Sequence, residues 1–166
     1  YCHTSKTVCL NSATAAEELN LRICGIGPED EVIVPAYTYT ASAAPVIHCG
    51  AKVVFVDSQK DNCEMDYEKV VEAITERTKA VVAVDLGGII CDYEKLYAAI
   101  ESKKHLFKAK EGDSLGARIQ QAIGRVLVFA DCAHALGANK DGKMAGEWAD
   151  FTSFSFHAVK NFTTAE

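Results

Sequence analysis

No uninterrupted apolar run of membrane-spanning length occurs in the 166 residues, so the sequence offers no helical span. Its first residues, Tyr1-Cys2-His3-Thr4, lack the charged and apolar regions of a secretory leader. A cytoplasmic protein with no membrane partner is the expectation. Positive charge is also sparse: the formal net charge is -6, and basic residues gather only at Lys103, Lys104, His105, Lys108 and Lys110. That group is most simply a solvated helix end, and nucleic acid is not an expected partner.

Cysteine pairing is missing as well. Seven cysteines (Cys2, Cys9, Cys24, Cys49, Cys63, Cys91 and Cys132) are irregularly spaced, with no C-x-x-C pair and an odd total, which fits reduced thiols. Cys132 and His134 flank Ala133 beside Asp131, but a metal would need further ligands at workable spacing, so none is expected. There is no internal repeat, low-complexity segment or domain linker. The Gly-x-Gly at Gly25 and Gly27 follows a helical pattern and precedes a strand, the reverse of a dinucleotide fingerprint.

What is present is the material of one α/β core. With 49% hydrophobic and 24% charged residues the chain is globular rather than disordered. Residues 31–35, 52–57, 80–84 and 125–130 form short, near-continuous apolar runs, the pattern of strands buried on both faces. Helical patterns alternate with them at 15–23, 38–48, 66–74, 92–102 and 115–123. The first follows Asn11-Ser12-Ala13-Thr14, small polar residues that mark a helix start. Asp66 is a plausible cap for the third, whose buried stripe is Tyr67, Val70, Val71 and Ile74. The expected fold class is therefore α/β, a mostly parallel sheet with helices on both faces. Two helices in succession before the run at 125–130, joined by the charged segment 103–113, suggest an insertion. Residues 137–146 read as a small hairpin.

The segment Ser153-Phe154-Ser155-Phe156-His157-Ala158-Val159-Lys160-Asn161 sets a lysine just past an apolar alternation that reads as a buried strand. An ammonium leaving water pays a desolvation penalty, so such a lysine either snorkels to solvent or has a chemical task. Three other places bear on that choice. The helix start at Ser12 to Thr14 presents free N–H groups and a positive dipole end, suited to an anion. Tyr37 and Tyr39 fall in a strand-to-helix loop, where α/β sheets bind ligands, and Asp131 ends an apolar strand. An amine, a carboxylate, a phosphate cradle and a flat aromatic are together what pyridoxal phosphate (PLP) requires for its aldehyde, ring nitrogen, phosphate and ring.

Four blocks carry a family resemblance: Asn11-Ser12-Ala13-Thr14-Ala15; Glu31-Val32-Ile33-Val34-Pro35 with Thr38-Tyr39; Asp131-Cys132-Ala133-His134-Ala135; and the segment from Ser153 to Asn161. In this order they resemble the DegT-like sugar aminotransferases, which are fold-type-I PLP enzymes with a three-layer, aspartate aminotransferase-like large domain. The resemblance implies that Lys160 forms the internal aldimine, Asp131 pairs with the pyridinium nitrogen, and His134 lies near the phenolic oxygen. It further implies that Ala13 (through its backbone), Thr14 and Ser155 hold the phosphate while Tyr39 stacks on the ring. Asp85 stands where the family more often has a histidine and receives no role.

The same resemblance implies an amino acid donor, glutamate first, a nucleotide-linked keto sugar as acceptor, and a homodimer whose subunits share active sites. It implies that residues 1–166 are a PLP-binding large domain in partial form, without the family's first helix and its smaller C-terminal domain. Two rivals stay open: a non-catalytic PLP-binding or sensing domain, and a dehydratase relative. The dehydratases have a histidine at the lysine position, so Lys160 favours transamination.

Overall fold

The computed structural model describes residues 1–164. Helix α1 (Ala13–Ile23) begins where Ser12, in extended geometry, accepts the Ala15 N–H on its hydroxyl. Strand β1 (Glu31–Pro35) follows, then α2 (Ala44–His48), β2 (Lys52–Val56), α3 (Tyr67–Ala73), β3 (Thr78–Val84), α4 (Tyr93–Ser102), α5 (Leu115–Ile123) and β4 (Leu127–Asp131). A two-residue-per-strand hairpin, β5 (Asn139–Lys140) and β6 (Lys143–Met144), precedes β7 (Phe151–Ser153). Asp66, Asp92 and Ser114 cap α3, α4 and α5 by accepting first-turn N–H groups.

Strands β2-β1-β3-β4-β7 form one sheet in that order, with every neighbouring pair parallel. Alternate side chains serve opposite faces. Val32, Val34, Ala80, Val82, Leu127 and Phe129 pack with Leu21 of α1, Cys24 just past its end and Val46 of α2, and Ile119 and Ile123 of α5 join them. Ile33, Val81, Ala83, Val128 and Ala130 pack instead with Val70 of α3 and with Leu96 and Ile100 of α4. This is the three-layer α/β arrangement expected from the strand pattern.

Three local expectations are corrected. The single helix at 38–48 is a 3-10 turn, Thr40–Ser42, followed by α2. Pro45 lacks the N–H that a continuous helix would direct to the carbonyl four residues earlier, so it is accommodated only in the first turn of α2. The segment before Lys160 is not a strand as far as Phe156: β7 stops at Ser153, opposite Asp131. Past Asp131 the chain turns, with Ala135 N–H on Cys132 O at 2.9 Å, so residues 154–157 have no strand to pair with. Of the two helices between β3 and β4, α4 covers one face of the sheet and α5 the other. Strand β2 is also less buried than its composition suggests, because it is an edge strand and Phe55 is 59% exposed.

Candidate functional site

Along β4, Leu127, Phe129 and Asp131 alternate onto the α1 face, so the carboxylate ends a buried strand at the carboxyl edge of the sheet. Ser42 Oγ donates to Asp131 Oδ2 at 2.6 Å, and the Ala133 N–H donates to Oδ1 at 3.1 Å. Thr38 Oγ1 lies 2.8 Å from Ser42 Oγ, so the loop after β1 is tied across the sheet edge to the end of β4. The chain leaves β1 toward β2 and leaves β3 toward β4, and such a switch in direction opens a crevice at the strands' carboxyl ends.

A second acid lies beside the first. Glu17 projects from the buried stripe of α1, four residues before Leu21, and is 6% exposed. Its Oε1 accepts from Ser153 Oγ at 3.0 Å, and Ser153 is the register partner of Asp131 across β4 and β7. Burial first, and then the neighbouring Asp131 charge, push the Glu17 carboxyl up to about 9. Its surroundings therefore favour the protonated form.

Lys160 reaches the same edge. Its Nζ lies 2.9 Å from His134 Nε2, three residues beyond Asp131. The Gly87 N–H points at His134 Nδ1 across 3.4 Å, which suits the tautomer with its proton on Nε2. Asp85 stands behind the site. Its Oδ1 accepts the Cys91 N–H at 3.0 Å and Tyr93 OH at 3.2 Å, and its Oδ2 accepts from Cys132 Sγ at 3.1 Å. Burial raises its pKa against the opposing pull of these donors. Asp85 fastens the β3 and β4 ends together rather than facing the crevice, being 1% exposed.

The remaining candidates frame the edge. α1 packs along β7, which brings its first turn to the end of the sheet that carries Asp131 and Ser153. Ala13 and Thr14 open that turn, and their N–H groups precede the first intrahelical bond, from Ala16 to Ser12 O. Ser155 lies two residues past β7, half-buried, with its hydroxyl 3.5 Å from the His157 N–H. Tyr39, 74% exposed, sits directly before the Thr40–Ser42 turn, and Tyr37 is exposed beside it. The structure thus joins Lys160 to His134 and Asp131 to Ser42. Among the described residues no hydrogen bond joins Tyr39, Thr14 and Ser155 to one another. Ser42 and Glu17 were not among the sequence candidates. A glutamate at a core position of α1 was a visible anomaly, whereas a serine in an alanine-rich run carries no signal.

Comparison with known proteins follows the same lines. A sequence profile described as the DegT/DnrJ/EryC1/StrS aminotransferase family matches residues 1–166. GDP-perosamine synthase of Caulobacter vibrioides is 37% identical over 166 residues, which is 100% of this chain and 39% of that protein. UDP-4-amino-4-deoxy-L-arabinose--oxoglutarate aminotransferase of Shewanella sediminis is 38% identical over 159 residues, 96% of this chain and 35% of its own. The PLP-form structure of Spr1654 from Streptococcus pneumoniae superposes with a TM-score of 0.94 at 54% identity, covering 100% of this chain and 41% of that one. A PMP-form of the same protein superposes with the same TM-score of 0.94. The chain spans about two fifths of the length of these relatives. Since the profile match runs through all 166 residues and the sheet superposes on a PLP-form structure, this chain belongs to the DegT/DnrJ/EryC1/StrS aminotransferase family.

Proposed function

We propose that the protein carrying this chain is a PLP-dependent aminotransferase that moves an amino group from glutamate to a nucleotide-linked keto sugar. One observation carries the reading: Lys160 Nζ is held at 2.9 Å from His134 Nε2, at the sheet edge where Asp131 ends β4. The names of the relatives supply the substrate classes, a GDP-linked amino sugar in one case and oxoglutarate as the keto partner in another.

The residues present fit the cofactor. Asp131 offers a buried carboxylate for a protonated ring nitrogen, and Ser42 and Ala133 leave it lone pairs to do so. Ala13 and Thr14 offer free first-turn amides to a phosphate, with the hydroxyls of Thr14 and Ser155 beside them. Tyr39 offers an uncovered ring for stacking, and Lys160 would be the amine that holds the aldehyde. When bound, PLP supplies an electron sink for the carbon that loses its proton. Lys160, once free, moves that proton, and His134 Nε2 is placed to orient its amine. Asp131 would keep the ring nitrogen charged. Residues 1–166 form the cofactor-binding large domain in this reading, and the protein works in the cytoplasm as a homodimer with shared sites.

The test is to treat the intact protein with PLP, reduce it with borohydride and map the label by peptide mass. Label on Lys160 is the expected result, and label confined to surface lysines defeats the assignment. Glutamate-dependent formation of oxoglutarate with a panel of nucleotide-linked keto sugars then separates an enzyme from a PLP-binding sensor.

A further inference from the structure

Nothing in the assignment above gives Glu17 a task, although burying a carboxyl is costly unless a partner compensates. Three placements converge on it. It lies on the α1 face, where β4 and β7 turn Asp131 and Ser153 toward the helix. One of its oxygens, Oε1, is taken by the Ser153 hydroxyl at 3.0 Å. The other, Oε2, is buried without a hydrogen-bond partner, and Asp131, the register partner of Ser153, ends β4 on the same face of the sheet beside it. Among the described residues no cation is set against Glu17; Asp131 from β4 is the charged group facing it, and β7 contributes only the neutral Ser153 hydroxyl. Two carboxyls this close do not both ionise, so one proton is shared between them.

We propose that Glu17 is a positioning residue for Asp131: held by Ser153 on one oxygen, it donates a hydrogen bond from the other and so fixes the carboxylate that is to meet the cofactor's ring nitrogen. With Ser42 and Ala133 already on Asp131, this third donor completes a set that holds its carboxylate in a single rotamer. No bond to carbon changes and no proton is consumed. The shared proton stays on Glu17 and is lent to Asp131. The proposal rests on the assignment of Asp131 to the ring nitrogen.

Two substitutions separate donor from filler. Glu17→Gln keeps an N–H for Asp131 and a carbonyl for Ser153, whereas Glu17→Leu fills the same space without a donor. For the intact protein at pH 7, PLP affinity read by absorbance titration is expected to weaken about tenfold in Glu17→Leu and to stay near the wild-type value in Glu17→Gln. A packing role gives the opposite order, because the apolar side chain suits a buried stripe. Infrared spectra of the cofactor-free protein supply a second reading: a protonated-carboxyl stretch present at pH 7 in the wild type and missing from Glu17→Gln. Wild-type affinity in Glu17→Leu, or no such stretch in the wild type, overturns the proposal. Failure of the wild type to bind PLP defeats the functional assignment instead, and the infrared reading still decides whether Glu17 holds the proton beside Asp131.

Discussion

Ser42 Oγ and Asp131 Oδ2 are 2.6 Å apart, although 89 positions separate them in sequence. The bond closes the loop after β1 over the end of β4. A hydrogen bond to a buried carboxylate contributes about 1.5–3 kcal/mol. Ser42→Ala is therefore expected to weaken PLP binding by roughly tenfold or more. Thr38→Val, which leaves the Ser42 to Asp131 bond in place, should have a smaller effect. Unchanged affinity in Ser42→Ala would mean that Asp131 is held in position without it.

Lys160 and His134 should separate by role. In the proposed roles Lys160 is both the attachment point and the mobile base, so Lys160→Ala is expected to slow the proton transfer by about 10²–10⁴-fold or more even with PLP added. His134→Ala leaves the amine and removes only its orienting partner, so its loss should be smaller and the borohydride label should remain on Lys160. Half-reaction rates with glutamate, followed by the change in cofactor absorbance, distinguish the two. Equal losses would place His134 in the proton transfer itself.

Glu17 imposes a pH dependence on stability whose sign follows from its shift. Its carboxyl is raised from an ordinary value of 4.5 to about 9, so the folded state binds the proton more tightly than the unfolded state. That contribution is fully present below pH 4.5 and is lost as pH rises toward and through about 9. Within this window the wild type should lose up to about 1.4 kcal/mol per pH unit relative to Glu17→Gln, which does not titrate. Urea denaturation of both forms at a series of pH values measures the difference. Parallel stability profiles would show that Glu17 is ionised in the folded chain.

Asp150 is the joint between β4 and β7. It accepts two bonds from Arg125 at 2.8 Å each and the Val128 N–H at 2.8 Å, while its own N–H donates to Val128 O at 3.0 Å. Arg125 also lies over the Tyr97 ring, 4.7 Å from its centroid. Both charged side chains are largely buried, so Asp150→Ala strands a guanidinium and an amide. A loss of about 2–4 kcal/mol is expected in denaturant unfolding. Asp150→Asn, which keeps an acceptor, should recover part of it.

The sheet was legible because its central strands are apolar without interruption, and α1 and α3 because the small polar residues at Asn11 to Thr14 and Asp66 mark their starts. The strand before Lys160 was misread because Phe154 and Phe156 continue the apolar alternation, whereas strand length is set by the partner, and β4 ends at Asp131. The pairings that Ser42 and Glu17 make were out of reach for a different reason. Their partners, Asp131 and Ser153, lie 89 and 136 positions away, and no local periodicity encodes such pairs.

Gly116 provides the last prediction. It lies inside α5, where alanine is ordinarily preferred to glycine by about 1 kcal/mol. A Cβ at this position would fall 2.6 Å from both Gly25 Cα and Gly25 N and 2.8 Å from Cys24 C, and none of these backbone atoms can swing aside. Gly25 is itself at φ 71°, so the turn after α1 is committed to its shape. The contact is further fixed by Gln120 Nε2, which donates to Cys24 O at 2.7 Å from the next turn of α5. Overpacking should therefore outweigh helix propensity, and Gly116→Ala is expected to lose about 1–3 kcal/mol in urea unfolding. Gly27→Ala is the control, since its nearest atom is Cys49 O at 3.9 Å. If Gly116→Ala proves more stable than the wild type, α5 does not rest on the end of α1 as closely as this contact requires.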